Sequence, residues 1–363
     1  MRKRGSGEGS IYYREKQGLW TAQIYVDGKK KYKYSKKQSV VREWLLAQRD
    51  ALRDGVFVKD ESIRFGDFLD TFLRDSTASL RPATVEYYNW CIPKHIKPSL
   101  GNIKLSDLTP LHLQRFYTQK LEEGLSNSAV RHFHNIIHKA LTQAARWGLV
   151  TRNVSDLVNP PSVTRSVPVV WTQEEAKKFL NYIKGSRYEG IFVLALSTGM
   201  RRGEILGLQY QDINWKTGTI QVSRSLGYYT RRGFVISEPK TEGSKRKIVV
   251  PRFALEVLKD HVESHNVKSG FVFTTSNGTP FSPRNIIRYF ESAMDNAGVP
   301  RISFHKLRHT FATLHLTAGT NPKVVQEILG HKSVSLTLST YSHVLPDMQS
   351  EAARVTEALL YSH

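Results

Sequence analysis

Near the C-terminus, His331 and Tyr341 lie ten positions apart in a segment rich in serine and threonine. A tyrosine can attack a phosphodiester and form a covalent intermediate, but a phenol with an ordinary pKa of about 10 is a poor nucleophile at neutral pH. A catalytic Tyr341 would therefore need neighbouring groups that stabilise negative charge. The simpler alternative is a turn between helices that leaves this tyrosine in solvent.

A second motif runs from Thr198 to Glu204 and contains Gly199 and the arginine pair Arg201 and Arg202 at an expected helix start. Free backbone N–H groups and the helix dipole at such a start favour a phosphate, and a guanidinium fork adds to that preference. Glu204 follows Arg201 by three positions, close enough on a helix to orient its guanidinium. Taken alone, the motif could also be a surface arginine pair near a turn.

Two further segments carry candidate catalytic groups. His305 and Arg308 are three residues apart and should share one face of a helix. Between these two motifs, a lysine-bearing strand turn adds a further cationic group. Two arginines, histidines, a lysine and a tyrosine could together transfer a phosphoryl group without a metal, because that chemistry mainly needs charge stabilisation and an aligned nucleophile.

The histidine pairs are also candidate metal ligands. His134 and His138, and likewise His305 and His309, have the spacing of two ligands on one helical face. No carboxylate or thiolate nearby completes either site, so we expect no metal and no other cofactor.

Charge and composition indicate the partner. The 363 residues carry a formal net charge of +21 and a sequence pI near 9.9, which suits a polyphosphate partner and makes nucleic acid the first choice. No apolar run is long enough to span a membrane and no signal peptide is recognisable, so a cytoplasmic protein is expected. The single cysteine, Cys91, excludes an internal disulfide.

Residues 1–58 read as a small separate module. Alternating apolar residues from Trp20 to Val26, then Asp27-Gly28 as a two-residue turn, predict a β-hairpin, with a further strand near Ile11 and a helix over 37–54. We expect the helix to cover one face of this sheet and Lys29, Lys31 and Lys33 to stand with tyrosines on the other, where they could enter a DNA groove. Alternatively, these lysines only protect a sheet edge from aggregation.

The remaining chain is mainly helical with small β-sheets. Residues 61–158 predict a helical bundle with Arg131 near its surface, and the proline-rich residues 159–168 predict a linker. Residues 169–363 predict a mixed α+β domain, with one short antiparallel sheet from strands at 219–222, 234–236 and 247–250, and a last amphipathic helix over 347–360.

The three motifs in this order and spacing resemble the tyrosine recombinase, or phage integrase, family. Thr198 to Glu204 looks like its first arginine box, His305-Lys-Leu-Arg308 like its His-x-x-Arg box, and Leu329-Gly-His331 with Tyr341 like its last box. Pro239-Lys240-Thr241 is similar to the family's lysine-bearing β-turn, with Lys245 and Lys247 close enough to substitute for Lys240. The resemblance implies a helical core-binding domain over 61–158 and an arm-site DNA-binding module at the N-terminus.

The resemblance also implies a role for each residue. Tyr341 would be the nucleophile that forms a 3′-phosphotyrosine, conserving the bond energy. The implied supporting set is Arg201 and Arg308 on the phosphate, Lys240 as general acid, His305 and His331 on the phosphate or in proton transfer, Glu204 behind Arg201, and Arg202 on the DNA backbone.

The implied partners are double-stranded DNA at core and arm sites and a homotetramer on two duplexes, with possible accessory bending or excision factors. The last helix would dock on a neighbouring protomer or on its own domain. Two other functions stay open: a type IB topoisomerase, which shares the Arg, Lys, His and Tyr chemistry, and a DNA-binding regulator, which explains the charge but gives the motifs no purpose.

Overall fold

The computed structural model describes residues 9–26, 29–53, 62–77, 80–163, 169–230, 232–238, 245–341 and 348–361. The chain divides by packing into two units, residues 1–165 and 166–363. The expected turn at Asp27-Gly28 and the candidate catalytic Lys240 lie outside the described residues. No helix within the described ranges is both long and apolar enough to cross a lipid bilayer.

The N-terminal unit begins with an antiparallel sheet in the order β1-β2-β3 and one helix. The elements are β1 (Ser10–Arg14), β2 (Leu19–Val26), β3 (Lys29–Ser35) and α1 (Gln38–Arg53). Buried Ala22 and Ile24 of β2 pack with Val41 and Leu45 of α1 in a small core of their own. The period-two pattern that predicted the strands arises because one face of the sheet is covered by this helix.

The strand register corrects the expected position of the lysines. Lys33 pairs with Ala22, and Lys31 pairs with Ile24, so both stand in register with the residues that face α1. Paired residues in an antiparallel sheet share a face, and therefore the placement of Lys31 and Lys33 on the face opposite the helix was wrong. Lys29 pairs with Val26 and belongs to the same register.

The open face of the sheet, opposite α1, carries a different set of residues. It carries aromatic and basic groups on all three strands: the half-buried Arg14 and the exposed Tyr12, Tyr25, Lys30, Tyr32 and Tyr34. The Arg14 guanidinium lies 5.1 Å from the ring centroid of Tyr34 and 5.7 Å from that of Tyr12. Cation–π contacts of this kind keep the arginine extended over the aromatic surface.

The other main elements described in this unit are helices. They are α2 (Phe65–Asp75), α3 (Pro82–Cys91), α4 (Lys97–Leu100), α5 (Pro110–Glu122) and α6 (Asn127–Arg146). The side chains of Thr109 and Ser126 cap α5 and α6 by accepting backbone N–H groups. The buried faces form one apolar core that includes Phe68, Phe116 and Phe133.

The C-terminal unit has helices around two small sheets. Its helices are α7 (Gln173–Ile183), α8 (Glu189–Thr198), α9 (Arg202–Leu206), α10 (Arg252–Ser264), α11 (Pro283–Ala297), α12 (Phe304–Thr317), α13 (Pro322–Leu329), α14 (Val334–Tyr341) and α15 (Met348–Tyr361). Thr172 and Glu175 form a capping box at the start of α7. The apolar α8 is buried along most of its length, which makes it the centre of this unit's core.

The strands of this unit are β4 (Ile213–Asn214), β5 (Thr219–Val222), β6 (Ser225–Tyr229), β7 (Gly233–Ser237) and β8 (Arg246–Val249). They form a three-stranded sheet, β4-β5-β8, and a separate hairpin, β6-β7. The expectation of one sheet containing all three sequence-predicted strands was therefore wrong. The predicted fold class, mainly helical with an N-terminal sheet, a helical bundle and a mixed α+β C-terminal domain, is confirmed.

Candidate active site

A tight turn between α8 and α9 places Arg201 at the start of α9. Gly199 in this turn has a φ of +62°, in the left-handed region that favours glycine. A Cβ at Gly199 would lie 2.6 Å from Cδ2 of Leu329 and 2.7 Å from Cδ1 of Phe311, so α12 and α13 close directly over the turn. The glycine is thus required both for the backbone conformation and for this close packing.

Glu204 fixes Arg201 through two contacts. One carboxylate oxygen accepts the backbone N–H of Arg201 at 2.9 Å, and the other lies 2.7 Å from its Nη1. The Glu204 side chain is 5% exposed, whereas that of Arg201 is 39% exposed. The buried Glu204 carboxylate therefore orients the Arg201 guanidinium, which remains accessible to solvent.

Arg308 is buried and joins two of the motifs. Its Nη1 donates to the carbonyl oxygen of Gly199 at 2.8 Å and its Nη2 to that of Leu329 at 2.6 Å. Leu329 ends α13, where backbone carbonyls lack partners within the helix and carry partial negative charge. The arginine thus stabilises this helix end and fixes it against the turn before Arg201.

Arg246 is a site residue that sequence reasoning missed. This side chain of β8 is buried, with Nη2 lying 2.9 Å from Oε2 of Glu204 and Nη1 lying 3.3 Å from Oε1. Its Nε donates to the carbonyl oxygen of Ile328 at 2.5 Å. The sequence did contain an indication of this role. Arg246 lies two positions before Ile248, so both side chains are on the same, buried face of the strand. A buried arginine requires a hydrogen-bonding or charged partner.

His331 connects α13 to the helix that ends at Tyr341. Its Nδ1 lies 2.8 Å from Oγ1 of buried Thr337 on α14, and its backbone N–H donates to the carbonyl of Gln326. Tyr341 is the last residue of α14, four positions after Thr337; the placement of its side chain lies outside what the structure describes.

The electrostatics of the site favour neutral histidines. Burial, followed by the charges of Arg308 and Arg201, lowers the pKa of His331 to about 4. Desolvation and then the same two arginines also lower the pKa of His305, against a smaller opposing effect of Glu204. Both imidazoles are therefore neutral at pH 7 in the DNA-free protein and can accept a proton or a hydrogen bond.

His309 adds a third neutral ring. It lies 5.1 Å from the ring of His305, and burial followed by the charge of His305 lowers its pKa to about 4. Among the described residues, no three His, Cys, Asp or Glu side chains are grouped as a metal ion would require.

The other predicted residues have different surroundings. Lys245 lies 3.5 Å from a Glu238 oxygen near the strand that Arg246 begins. Arg202 is half-buried, and desolvation lowers its pKa. In the N-terminal unit, the exposed Arg131 donates through Nε to the carbonyl of Pro161 at 3.0 Å.

Comparison with known proteins identifies the family of this chain. The model of the phage integrase family matches residues 170–348, and that of its N-terminal SAM-like domain matches residues 64–121. A tyrosine recombinase XerC from Oceanobacillus iheyensis is 30% identical over 297 residues, covering 78% of this chain and 94% of the relative. The chain belongs to the phage integrase family. It is a tyrosine-type site-specific recombinase of the kind encoded by phages and mobile elements.

Solved integrase structures share this fold. The Tn1549 transposon integrase in complex with a circular intermediate DNA superposes with a TM-score of 0.70 at 22% identity, covering 81% of this integrase and all of that chain. A lambda integrase tetramer bound to a Holliday junction gives a TM-score of 0.58 at 20% identity, covering 90% of this integrase and 96% of that chain.

Proposed function

We propose that this integrase cuts and rejoins DNA with Tyr341 as the nucleophile. The Tyr341 oxygen forms a bond to the scissile phosphorus, the bond from phosphorus to the 5′ oxygen breaks, and a 3′-phosphotyrosine results. A 5′-hydroxyl from a partner duplex then attacks this ester and releases the tyrosine. The observation that carries the proposal is that Arg308 joins the turn before Arg201 to the end of α13, two residues before His331, which in turn contacts Thr337 of α14.

Arg201 and Arg308 stabilise the charge that develops on the phosphate. Arg201 is half-exposed and already oriented by Glu204, so it can engage a non-bridging oxygen without reorganisation. Arg308 fixes the end of α13 against the turn before Arg201, and its buried guanidinium contributes positive charge to the site. A planar guanidinium suits both tasks, since it can donate to two acceptors at once.

Protons move through the neutral histidines and a lysine. His331 or His305, neutral at pH 7, hydrogen-bonds the phosphate or accepts the proton of Tyr341 as the new ester forms. Lys240 donates a proton to the leaving 5′ oxygen, and Lys245 or Lys247 is the substitute if Lys240 does not reach it. Arg202 contacts the DNA backbone.

DNA contact extends to the N-terminal unit. We propose that residues 61–158 bind core-type sites, with Arg131 near the DNA, and that residues 1–58 bind arm-type sites. The open face of the first sheet, with Arg14, Lys30 and its tyrosines, enters the groove, while Lys29, Lys31 and Lys33 flank it at the β3 edge. Residues 159–168 act as the linker to the catalytic domain, residues 169–363.

A tetramer on two duplexes performs the exchange; the shared fold of the lambda integrase tetramer bound to a Holliday junction supports this proposal. The exposed apolar residues Val355, Leu359 and Leu360 of α15 are suited to docking on a neighbouring protomer. Accessory DNA-bending or excision factors would assist, and the reaction would take place in the bacterial cytoplasm.

The test is a strand-transfer assay. Duplexes selected from a random-sequence pool by binding are offered in labelled pairs, and a supercoiled plasmid carrying one site is offered separately. The proposal predicts recombinant products that join the two duplexes, without added metal or ATP. Relaxation of the plasmid without any joined product would instead support a type IB topoisomerase, and tight binding with neither product would support a regulator.

A further inference from the structure

Arg246 contacts two catalytic motifs that are far apart in the sequence. Its guanidinium donates to Glu204, which holds Arg201, and to the carbonyl of Ile328 at the end of α13. Forty-two residues separate it from Glu204 and eighty-two from Ile328. One side chain therefore connects β8 to both the arginine motif and the histidine-tyrosine segment.

The contact with Glu204 completes a bridge between two arginines. A single buried carboxylate accepts from Arg201 on one side and from Arg246 on the other. Burial on its own would raise the pKa of Glu204, but the hydrogen bond and charge of Arg246, with the charge of Arg201, keep it low. Arg246 thus keeps the carboxylate ionised, and an ionised Glu204 is what orients Arg201.

The contact with α13 fixes the position of His331. Gly330, with a φ of +66°, follows α13, and a Cβ added to it would lie 3.1 Å from Cδ and 3.2 Å from Nη1 of Arg246. The arginine therefore packs directly beneath the residue before His331. Any shift of its guanidinium would be transmitted to both catalytic motifs.

We propose that Arg246 is a positioning residue for strand cleavage: it holds Arg201, through Glu204, and His331, through the end of α13, in one geometry. The inference rests on the proposed function. Arg246 acts on the rate of the covalent step and leaves the affinity for DNA unchanged, because its side chain is buried beneath the site. Misplacement of reacting groups by about 1 Å can lower a rate by about 100-fold.

The experiment measures single-turnover formation of the covalent adduct on a nicked suicide duplex, together with the Kd for the same duplex and the Tm. The variants are Arg246→Met, Arg246→Lys, Glu204→Gln and the double variant Arg246→Met with Glu204→Gln. The control is Arg301→Met, which removes an arginine from an exposed pair with Asp295.

We expect Arg246→Met to slow adduct formation by about 100-fold, with Kd changed less than threefold, and Arg246→Lys to lie between it and wild type. Because the two residues act as a unit, the double variant should be no slower than the slower single variant. Arg301→Met should match wild type within twofold. If Arg246→Met folds poorly, as its Tm would reveal, Arg246→Lys decides in its place.

The pH dependence of the adduct-formation rate distinguishes a positioning role of Arg246 from a general loss of structure. The charged or titratable groups around Glu204 are Arg201, Arg246 and His305. Loss of Arg246 raises the pKa of Glu204, so the acidic limb of the rate profile should move to higher pH in Arg246→Met. A wild-type rate in this variant, an unmoved limb, or multiplicative effects in the double variant would overturn the proposal. Absence of any adduct with wild type would instead contradict the proposed function itself.

Discussion

The guanidinium of Arg308 donates through Nη2 to the carbonyl oxygen of Leu329 at 2.6 Å, while its Nη1 reaches Gly199. This geometry joins the end of α13, two residues before His331, to the turn two residues before Arg201. The buried arginine is therefore part of the framework of the site as well as a source of positive charge.

Replacement of Arg308 by lysine should impair this framework. A single ammonium cannot reproduce a planar fork that reaches two carbonyls, so we expect adduct formation to fall by about 10²- to 10³-fold. The measurement is the single-turnover rate on a suicide duplex, with Arg301→Lys as the matched surface control. A rate within threefold of wild type would show that the fork is not needed.

Gly199→Ala should destabilise the protein more than Gly185→Ala. Both glycines have positive φ values, +62° and +74°, but nothing lies within 4 Å of a Cβ at Gly185. Backbone strain common to both is about 1–2 kcal/mol, and the clash of Gly199→Ala with Leu329 and Phe311 should add about 1–3 kcal/mol. Urea unfolding of the two variants gives the comparison, and equal losses of stability would contradict the packing described above.

The sequence located three of the motifs but not the partners that hold them. Local spacing was enough to predict Glu204 beside Arg201, because that contact spans three residues. Arg246 was missed because its partners are distant in the chain. A buried ion pair depends on tertiary packing, which a local pattern does not contain.

The lysines of β3 illustrate a different kind of error. The alternation of residue types along a strand shows which side chains share a face of the sheet. The pairing with the neighbouring strand decides whether that face is the one covered by the helix. A two-residue turn after Val26 would pair Val26 with Lys29 and hence Ile24 with Lys31, as the structure does. The sequence therefore contained this register, although the alternation alone did not reveal it.

Lys30 and Lys33 provide a test of the proposed arm-binding face. Lys30 lies on the open face, whereas Lys33 is in register with Ala22 on the helix side. We expect Lys30→Ala to reduce the slope of log K against log salt by about 1 for arm-site DNA, with a smaller reduction for Lys33→Ala, which only flanks the groove. Equal effects, or a larger effect of Lys33→Ala, would favour binding along the helix-side edge.

Stability should fall as the pH is lowered, partly through His261. Burial, and then the charge of His265, lowers the pKa of His261 to about 4, and its Nε2 lies 3.2 Å from the carbonyl of Val272. Between this pKa and the ordinary value of about 6.5, the unfolded chain binds a proton that the folded one does not, so stability rises with pH across that window.

His261→Gln removes this titration while retaining a polar side chain for Val272. The pH dependence of the free energy of unfolding should then decrease by up to about 1.4 kcal/mol per pH unit between pH 4 and 6.5. Urea unfolding at a series of pH values measures it. Identical slopes for wild type and variant would show that His261 is not held neutral by the fold.

The proposed function requires Tyr341 to form the covalent link to DNA. Its most direct test is peptide mapping by mass spectrometry of the adduct that wild type forms on a site-bearing suicide duplex, with Tyr341→Phe as the comparison. We predict that wild type carries the DNA 3′-phosphate on Tyr341 and that Tyr341→Phe binds the duplex normally without forming an adduct. An adduct formed by Tyr341→Phe, or a wild-type adduct at any other residue, would contradict the proposed role of Tyr341.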